Sequence, residues 1–503
     1  MTDHDYTIVG TGPAAYFLCL SIFNNNPNSK IKIYEAGAMK NLINTDDFSY
    51  QQEEHNFNLN PTTYIGYGGT SNLWHNVIAP LDSEDFKVRE WIKNSGWPIS
   101  MNDISGYYKK VARYLNFDYE LFNGHSFDKN LEIERKKVSF DEEIFENKYF
   151  LQLKKPFRTK PHFQKLQKKY NLKILQNHRV LKILANSESD KVQSVSIGIG
   201  GKKITQNVKN LILCCGALET TRILLNSETL KSLSSRVGKN FLDHPMGNTF
   251  QMKYPEKRTT KLYSDLNYLP QLKIKSALKL TLRAQEKFRL PNHSFYLRPS
   301  FSEGIDNSTE KVKLKLLAIR EKLLKYQIPF SESFAILSNL NLARQIIQYK
   351  TGLSSGHRLA DFMFVTEQIP NDKSEIYLSN DLDKYGLKKL KVRWNITERD
   401  LESILEFYDI CYEHLCQKNR AKYTIKKEQL NWSSRLSSAA HHLGTARMGE
   451  HSSYSVVNKF NKVHGISNLY INDGSIFPTA GNANSTFTIM ALSMRLGDYL
   501  EKN

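Results

Sequence analysis

Residues 5–15 read Asp5-Tyr6-Thr7-Ile8-Val9-Gly10-Thr11-Gly12-Pro13-Ala14-Ala15. The first half is a short β-branched strand, suited to the buried centre of a parallel sheet. The second half is a glycine turn, followed by a helical stretch through Leu20 to Phe23. A second strand, Lys30 to Tyr34, ends in Glu35, 20 positions past Ala15. Strand, G-x-G-x-x-A turn, helix, strand and acid stand in the register of a dinucleotide-binding β-α-β unit. Gly10 and Gly12 let the backbone approach a pyrophosphate, with Ala15 closing the turn against the sheet. The helix N-terminus offers free N–H groups to the same anion, and Glu35 can accept ribose hydroxyls.

Outward from this unit, further strands are expected at Leu172–Leu175, Val180–Leu184 and Val192–Ile197, with a turn at Ser187–Asp190. Leu211 to Cys215 repeats the pattern of the first strand and runs into Gly216-Ala217 and a helix to about Asn226. Residues 60–110 are rich in Gly, Trp, Tyr and Asn, as in loops packed against something large and flat. Residues 115–160 are charged and carry no readable period. Between 250 and 430, strand-like segments (Leu272–Lys275, Phe295–Arg298, Phe362–Thr366, Glu375–Leu378, Leu390–Trp394) alternate with helical ones. In residues 400–418 the apolar positions recur at a helical period, and Cys411 and Cys416 are read as core fillers. Residues 311–325 form a basic amphipathic pattern that could lie on an anionic membrane. Docking on the chain's own domain is the preferred reading.

The whole chain has 503 residues, enough for two or three domains. Its 40% hydrophobic and 24% charged residues are ordinary for a globular protein and exclude a mostly disordered chain. No run of about 18 apolar residues exists, so no spanning helix is expected. The start, Met1-Thr2-Asp3-His4-Asp5, is acidic where an export signal is basic, and five cysteines make no disulfide framework. A cytoplasmic location follows as the expectation. The net charge of +19 comes from scattered lysine pairs outside any nucleic-acid-binding pattern, so it is read as a solvated basic surface.

The C-terminal residues carry the densest signal: His441-His442-Leu443-Gly444-Thr445-Ala446-Arg447, then Asn472-Asp473-Gly474-Ser475, then Gly481-Asn482-Ala483-Asn484-Ser485-Thr486 opening a terminal helix. With the first turn, Tyr34-Glu35-Ala36-Gly37, Tyr67-Gly68-Gly69-Thr70-Ser71-Asn72-Leu73-Trp74, Gly216 to Ser227 and Val237 to Pro245, these blocks resemble the glucose–methanol–choline (GMC) oxidoreductases. The likeness is greatest to the smaller bacterial members, which share Glu367-Gln368-Ile369-Pro370-Asn371, and to pyranose-type sugar oxidases.

The resemblance implies an α/β fold, α+β overall. Its discontinuous Rossmann-like FAD-binding domain would take residues 1–110, 160–250 and 431–503. Residues 251–430 would form a substrate-binding domain of antiparallel sheet plus helices, with 111–159 an unassigned excursion. By resemblance His441 is the active-site base and Asn484 its partner. The resemblance places Gly10, Gly12, Ala15, Glu35, Gly68, Gly69, Ser71, Asn72, His75, Val180, Gly216, Asp473, Gly474, Ser485 and Thr486 at the cofactor, with Asp473 near its ribityl or pyrophosphate part. Leu73 stands where some members carry a histidine bonded to the flavin, so FAD is expected to be noncovalent. His75 would lie near the flavin ring, and His244 is read as packing. No metal site is expected.

The implied function is FAD-dependent oxidation of a CH–OH group on a sugar, glycoside or other alcohol, with oxygen, quinone or another acceptor taking the electrons. A histidine near neutral pKa can take the hydroxyl proton, and an amide can hold the same oxygen. Three other readings stay open at this point: a lyase on the same fold, a nicotinamide-dependent dehydrogenase, and a peripheral membrane dehydrogenase passing electrons to quinone.

Overall fold

A computed structural model of the chain describes residues 4–38, 63–124, 138–233, 235–259, 261–263, 266–269, 271–300, 303, 356–430 and 436–502. The basic amphipathic stretch 311–325 lies outside the described residues.

Tyr6–Val9 is fully buried and sits in the middle of a parallel sheet. The strand order is Leu469–Ile471, Asn210–Leu213, Tyr6–Val9, Ile31–Tyr34, Leu172–Leu175. Tyr6 pairs with Ile31 on one side and with Asn210 on the other. Ile8, Ile33, Leu211 and Ile471 are completely buried, each worth roughly 1.5–3 kcal/mol of hydrophobic stabilisation. The strands come from both ends and the middle of the chain, so their carboxyl ends gather Gly10, Glu35, Cys214-Cys215-Gly216 and Asn472-Asp473 at one edge. In open parallel sheets that edge is where ligands bind.

Helix Pro13–Asn25 follows the first strand. Pro13 occupies its first turn, where the missing N–H costs nothing. The helix is apolar all round, and Ala14 through Cys19 are buried, as expected of a helix covered on every side. One cover is the terminal helix Ser485–Leu500. Ser21 Oγ donates to Met494 O at 2.8 Å and to Asp498 Oδ1 at 2.6 Å. The N- and C-terminal segments are thereby one packed unit.

A second sheet, of nine strands among the described residues, is antiparallel and holds three of the five strands expected between 250 and 430. They are longer than expected: Leu272–Leu280, Ser294–Ser300 and His357–Val365. The sheet takes in residues from both sides of the expected domain limits. Phe145–Leu153, inside the unassigned excursion, pairs with Leu272–Leu280 from Leu153↔Leu272 to Phe145↔Leu280. Val77–Ile78 pairs with Gln152 and Leu151. Pro245–Arg258 is one continuous strand across the expected boundary at 250. Strands Glu375–Leu382 and Lys388–Arg393 form a separate two-stranded ladder, and Arg179–Ala185, Val192–Ile199 and Lys202–Asn207 a three-stranded one.

The helix expected over 400–418 runs from Glu398 to Cys411, capped by Thr397 with Asp400, and continues as a wider π-type turn through Cys416. Cys411 and Cys416 are fully buried core residues. All five cysteines are free thiols.

Candidate active site

The first turn is built around Glu35. Its Oε2 accepts the Thr11 hydroxyl at 2.6 Å and the Thr11 N–H at 3.1 Å, and its Oε1 accepts the Gly37 N–H at 2.9 Å. Burial pushes the carboxyl up to about 7, although these donors pull the other way. Beside the expected task of meeting a ribose, Glu35 thus has a second one, bracing the turn. Thr11 Oγ1 also accepts the Gly68 N–H at 2.8 Å, which fastens the turn to segment 68–72. Gly10 has a φ of +97°, and a Cβ there would meet the Cys214 carbonyl at 2.7 Å. Only glycine fits such a backbone approach.

This edge of the sheet fits a dinucleotide. Helix Pro13–Asn25 has no side-chain cap and no acidic residue in its first turn, so its leading N–H groups are free for an anion. A Cβ built on Gly12 or on Gly216 meets nothing within 4 Å, so open space lies beside both turns. Ala15 is buried beneath the first turn. Gly68 and Gly69 have positive φ and lead a short 3-10 turn to Asn72. There, Ser71 Oγ donates to Gly68 O at 2.6 Å, and Asn72 Nδ2 donates to Tyr67 O and Gly69 O.

Four further positions expected at the cofactor have well-defined protein surroundings. Asp473 is spread over protein donors: Gly216 N at 3.0 Å, Thr220 Oγ1 at 2.6 Å, Ser475 N at 2.9 Å and Ser475 Oγ at 2.6 Å. Four bonds fill the acceptor capacity of a carboxylate, and they make Asp473 a brace for the turn at Gly216. Gly474 is a packing residue, since a Cβ there would lie 2.7 Å from the His442 carbonyl. The Val180 carbonyl accepts from Arg222 Nη2 at 2.8 Å, and its side chain is in the core. His75 is exposed, and its carbonyl accepts from Gln152 Nε2 at 3.1 Å. Its neighbours are clamped: Trp74 Nε1 donates to Phe157 O, and Asn76 Oδ1 accepts the Phe157 N–H.

The motif His-x-x-Gly-Thr crosses residues 240–242. Leu242 and Leu443 exchange both backbone hydrogen bonds, at 3.0 and 2.9 Å. Gly444 has a φ of +88°, and a Cβ there would collide with the Asn240 carbonyl at 2.1 Å. This crossing brings His441 over the start of helix Ser485–Leu500. His441 Nε2 and Asn484 Nδ2 are 3.2 Å apart, and both side chains are partly buried. With the imidazole proton on Nδ1, Nε2 carries the lone pair that the Asn484 amide N–H can meet. Asn484 is the helix N-cap yet makes no side-chain cap bond, and the first turn, Ser485 and Thr486 included, carries no acidic residue.

Burial holds the His441 imidazole well below the usual histidine range, and the neighbouring His244 and His442 add to this. His441 is therefore neutral at pH 7. The ring of His244 lies edge-on to that of His441, with centroids 5.0 Å apart. His244 Nδ1 is 3.0 Å from Thr366 O. Asp243 accepts the His441 N–H at 3.1 Å. Burial pushes its carboxyl up to about 6 against the pull of its donors. Asp243 lies in the block Val237 to Pro245, where no local feature of the sequence marks it.

Behind this segment lies a buried ionic cluster. Arg89 makes two bonds to Glu367, at 2.7 and 2.5 Å. Lys279 meets Glu84 at 2.6 Å, and Lys148 meets Asp82 at 2.7 Å. Asn292 joins Asp82 and Asp85, and its Oδ1 accepts from Asn482, two residues before Asn484. The loop that ends in Asn484 is thus tied to the ionic cluster.

Together these features define a dinucleotide-binding oxidoreductase scaffold with a neutral histidine and an amide at one point. Comparison with known proteins points to a family. Models described as GMC oxidoreductase match residues 159–246 with the N-terminal part and 370–493 with the C-terminal part, so these two segments are similar to the GMC oxidoreductases, and FAD is the cofactor that this similarity supports. It is 33% identical over 155 residues to a 2-methyl-1,2-propanediol dehydrogenase of Mycolicibacterium austroafricanum, covering 29% of this chain and 26% of that one. It is 31% identical over 126 residues to a paromamine 6'-oxidase of Streptomyces fradiae, covering 25% and 22%. The matched part thus spans about a quarter of these relatives' length. Among solved structures, pyridoxine 4-oxidase from Mesorbium loti aligns over 100% of both chains, with a TM-score of 0.61 and 13% identity, a likeness of fold. Among the described residues, no helix is long and apolar enough to cross a membrane.

Proposed function

We propose that the protein oxidises a CH–OH group of a sugar, glycoside or other alcohol, with His441 as base and Asn484 holding the reacting oxygen. The observation that carries this reading is the 3.2 Å approach of Asn484 Nδ2 to His441 Nε2. Gly10–Gly12, Glu35 and segment 68–72 would hold FAD without a covalent bond, and the bound flavin would supply the hydride acceptor. A hydroxyl entering between the two side chains donates its proton to Nε2 and accepts from the amide. Both groups thus address one oxygen, which fixes the carbon it bears. The depressed basicity of His441 keeps Nε2 free at neutral pH, so the base needs no prior deprotonation. The uncapped N-terminus of helix Ser485–Leu500 places partial positive charge beside the same point. The relatives named for 2-methyl-1,2-propanediol and for paromamine support an alcohol or a sugar.

The test is anaerobic mixing of the yellow holoprotein with benzyl alcohol, 1,2-propanediol, glucose and further pyranoses. Bleaching of the flavin band by at least one of these classes is expected. A flavin that no alcohol or sugar bleaches would put the lyase reading in its place.

A further inference from the structure

The turn that presents His441 is strained. Ala440 has a φ of +62°, in the left-handed region that is sterically costly for any residue with a Cβ. Glycine would suit this position, yet the chain has alanine, so something else must hold the turn.

Asp243 does so. It is completely buried, and its two oxygens reach both ends of the turn. Oδ1 accepts the His441 N–H at 3.1 Å and the His244 N–H at 2.7 Å. Oδ2 accepts the Ser438 hydroxyl at 2.5 Å, and that hydroxyl accepts the Ala440 N–H at 2.9 Å. The Ala439 N–H donates to His244 O at 3.2 Å. Every backbone N–H from Ala439 to His441 is therefore bound to Asp243, to the serine it holds, or to the residue after it. Strain maintained by surrounding structure is a mark of a site where orientation matters.

We propose that Asp243 is a positioning residue: acting through Ser438, it holds Ala440 in its left-handed conformation and so aims His441 Nε2 at Asn484. The proposal rests on the reading of His441 as the base. Asparagine at 243 keeps one acceptor oxygen and turns an N–H₂ group toward donors, so the turn loses one of its ends.

The experiment uses the holoenzyme and whichever alcohol or pyranose bleaches the flavin. Asp243→Asn should keep FAD and leave KM within about twofold, while the limiting rate of anaerobic flavin reduction falls ~10²-fold, the cost of misplacing a group by about 1 Å. Ala440→Gly should leave the wild type nearly unchanged but restore most of the rate to Asp243→Asn, because glycine takes positive φ without steric cost. Crystal structures of the two single variants supply a readout apart from activity. In Asp243→Asn the 440 φ should leave the positive region and the His441–Asn484 contact should lengthen; in Ala440→Gly both should stay. If Asp243→Asn does not fold, Ser438→Ala with and without Ala440→Gly carries the same test, with a smaller loss and the same rescue. Wild-type reduction rates in Asp243→Asn, an unmoved turn, or no rescue by glycine would overturn the proposal. His441→Ala, run alongside, separates the two readings. Unchanged reduction there removes the base itself, whereas slow reduction there with normal reduction in Asp243→Asn removes only the role of Asp243.

Discussion

Replacing Glu35 tests how the first turn makes the cofactor site. Glu35→Ala removes the acceptor for three donors, Thr11 N–H, Thr11 O–H and Gly37 N–H. The Thr11 amide lies in a buried turn, and an unsatisfied buried donor costs ~1–3 kcal/mol. With the ribose contact also gone, a total near 3 kcal/mol corresponds to ~10²-fold weaker FAD binding. Glu35→Gln keeps one acceptor oxygen and should fall between. The assay is titration of apoprotein with FAD, followed by quenching of flavin fluorescence, with the flavin-to-protein absorbance ratio after gel filtration as a second measure. The charge has its own signature. Burial raises the folded carboxyl from 4.5 to about 7, so its ionised form is disfavoured on folding. Its contribution is most favourable below pH 4.5 and is progressively lost as pH rises through 7. The apoprotein should therefore show a stability loss across that window that Glu35→Gln lacks. An alanine variant that binds FAD with wild-type affinity would refute this account of the turn.

Other outcomes follow from the same geometry. Acid precipitation should release all the yellow colour into the supernatant, since Leu73 offers the flavin no bonding atom; colour left in the pellet contradicts noncovalent binding. Glu367→Gln should destabilise the protein by ~3–5 kcal/mol in urea unfolding, because Arg89 is left buried with its main partner neutralised. The double change Arg89→Met with Glu367→Leu should recover most of that loss, and failure to do so would show that the pair is more than a matched charge. Asn484→Ala should slow flavin reduction less than His441→Ala does, since no proton passes to an amide and a water can take its place. Stopped-flow reduction of the two variants gives the comparison.

What could be read in the chain depended on where the partners of each residue lie. Tyr6–Val9, Ile31–Tyr34 and Leu211–Leu213 were legible because strands buried on both faces are apolar throughout, and the turn after the first strand is local. The pairing of His441 with Asn484 came from resemblance, and no period or composition marks it. Phe145–Leu153 was not legible: Lys148 in it is 5% exposed and is paired with Asp82, 66 positions away. The facing strand hides Lys279 in the same manner. A buried charge reads as a surface residue until its counter-ion is known. The bracing by Asp473 was not legible for a similar reason, because two of its four donors, Gly216 N and Thr220 Oγ1, lie more than 250 positions upstream. Asp243 carried no local signal, since its purpose is a strained turn almost 200 residues further along.

The central claim is that His441 takes the hydroxyl proton while already neutral at pH 7. It is tested most directly by the pH dependence of anaerobic flavin reduction in the wild type and in His441→Ala, both loaded with FAD. The wild-type rate should be flat around neutrality and fall only in acid, through one ionisation below the usual histidine range, because burial depresses the imidazole. His441→Ala should retain FAD, reduce ~10²–10⁴-fold more slowly, the usual worth of a positioned base, and show no acid limb. A variant that reduces at the wild-type rate, or that keeps the same limb, would contradict the account.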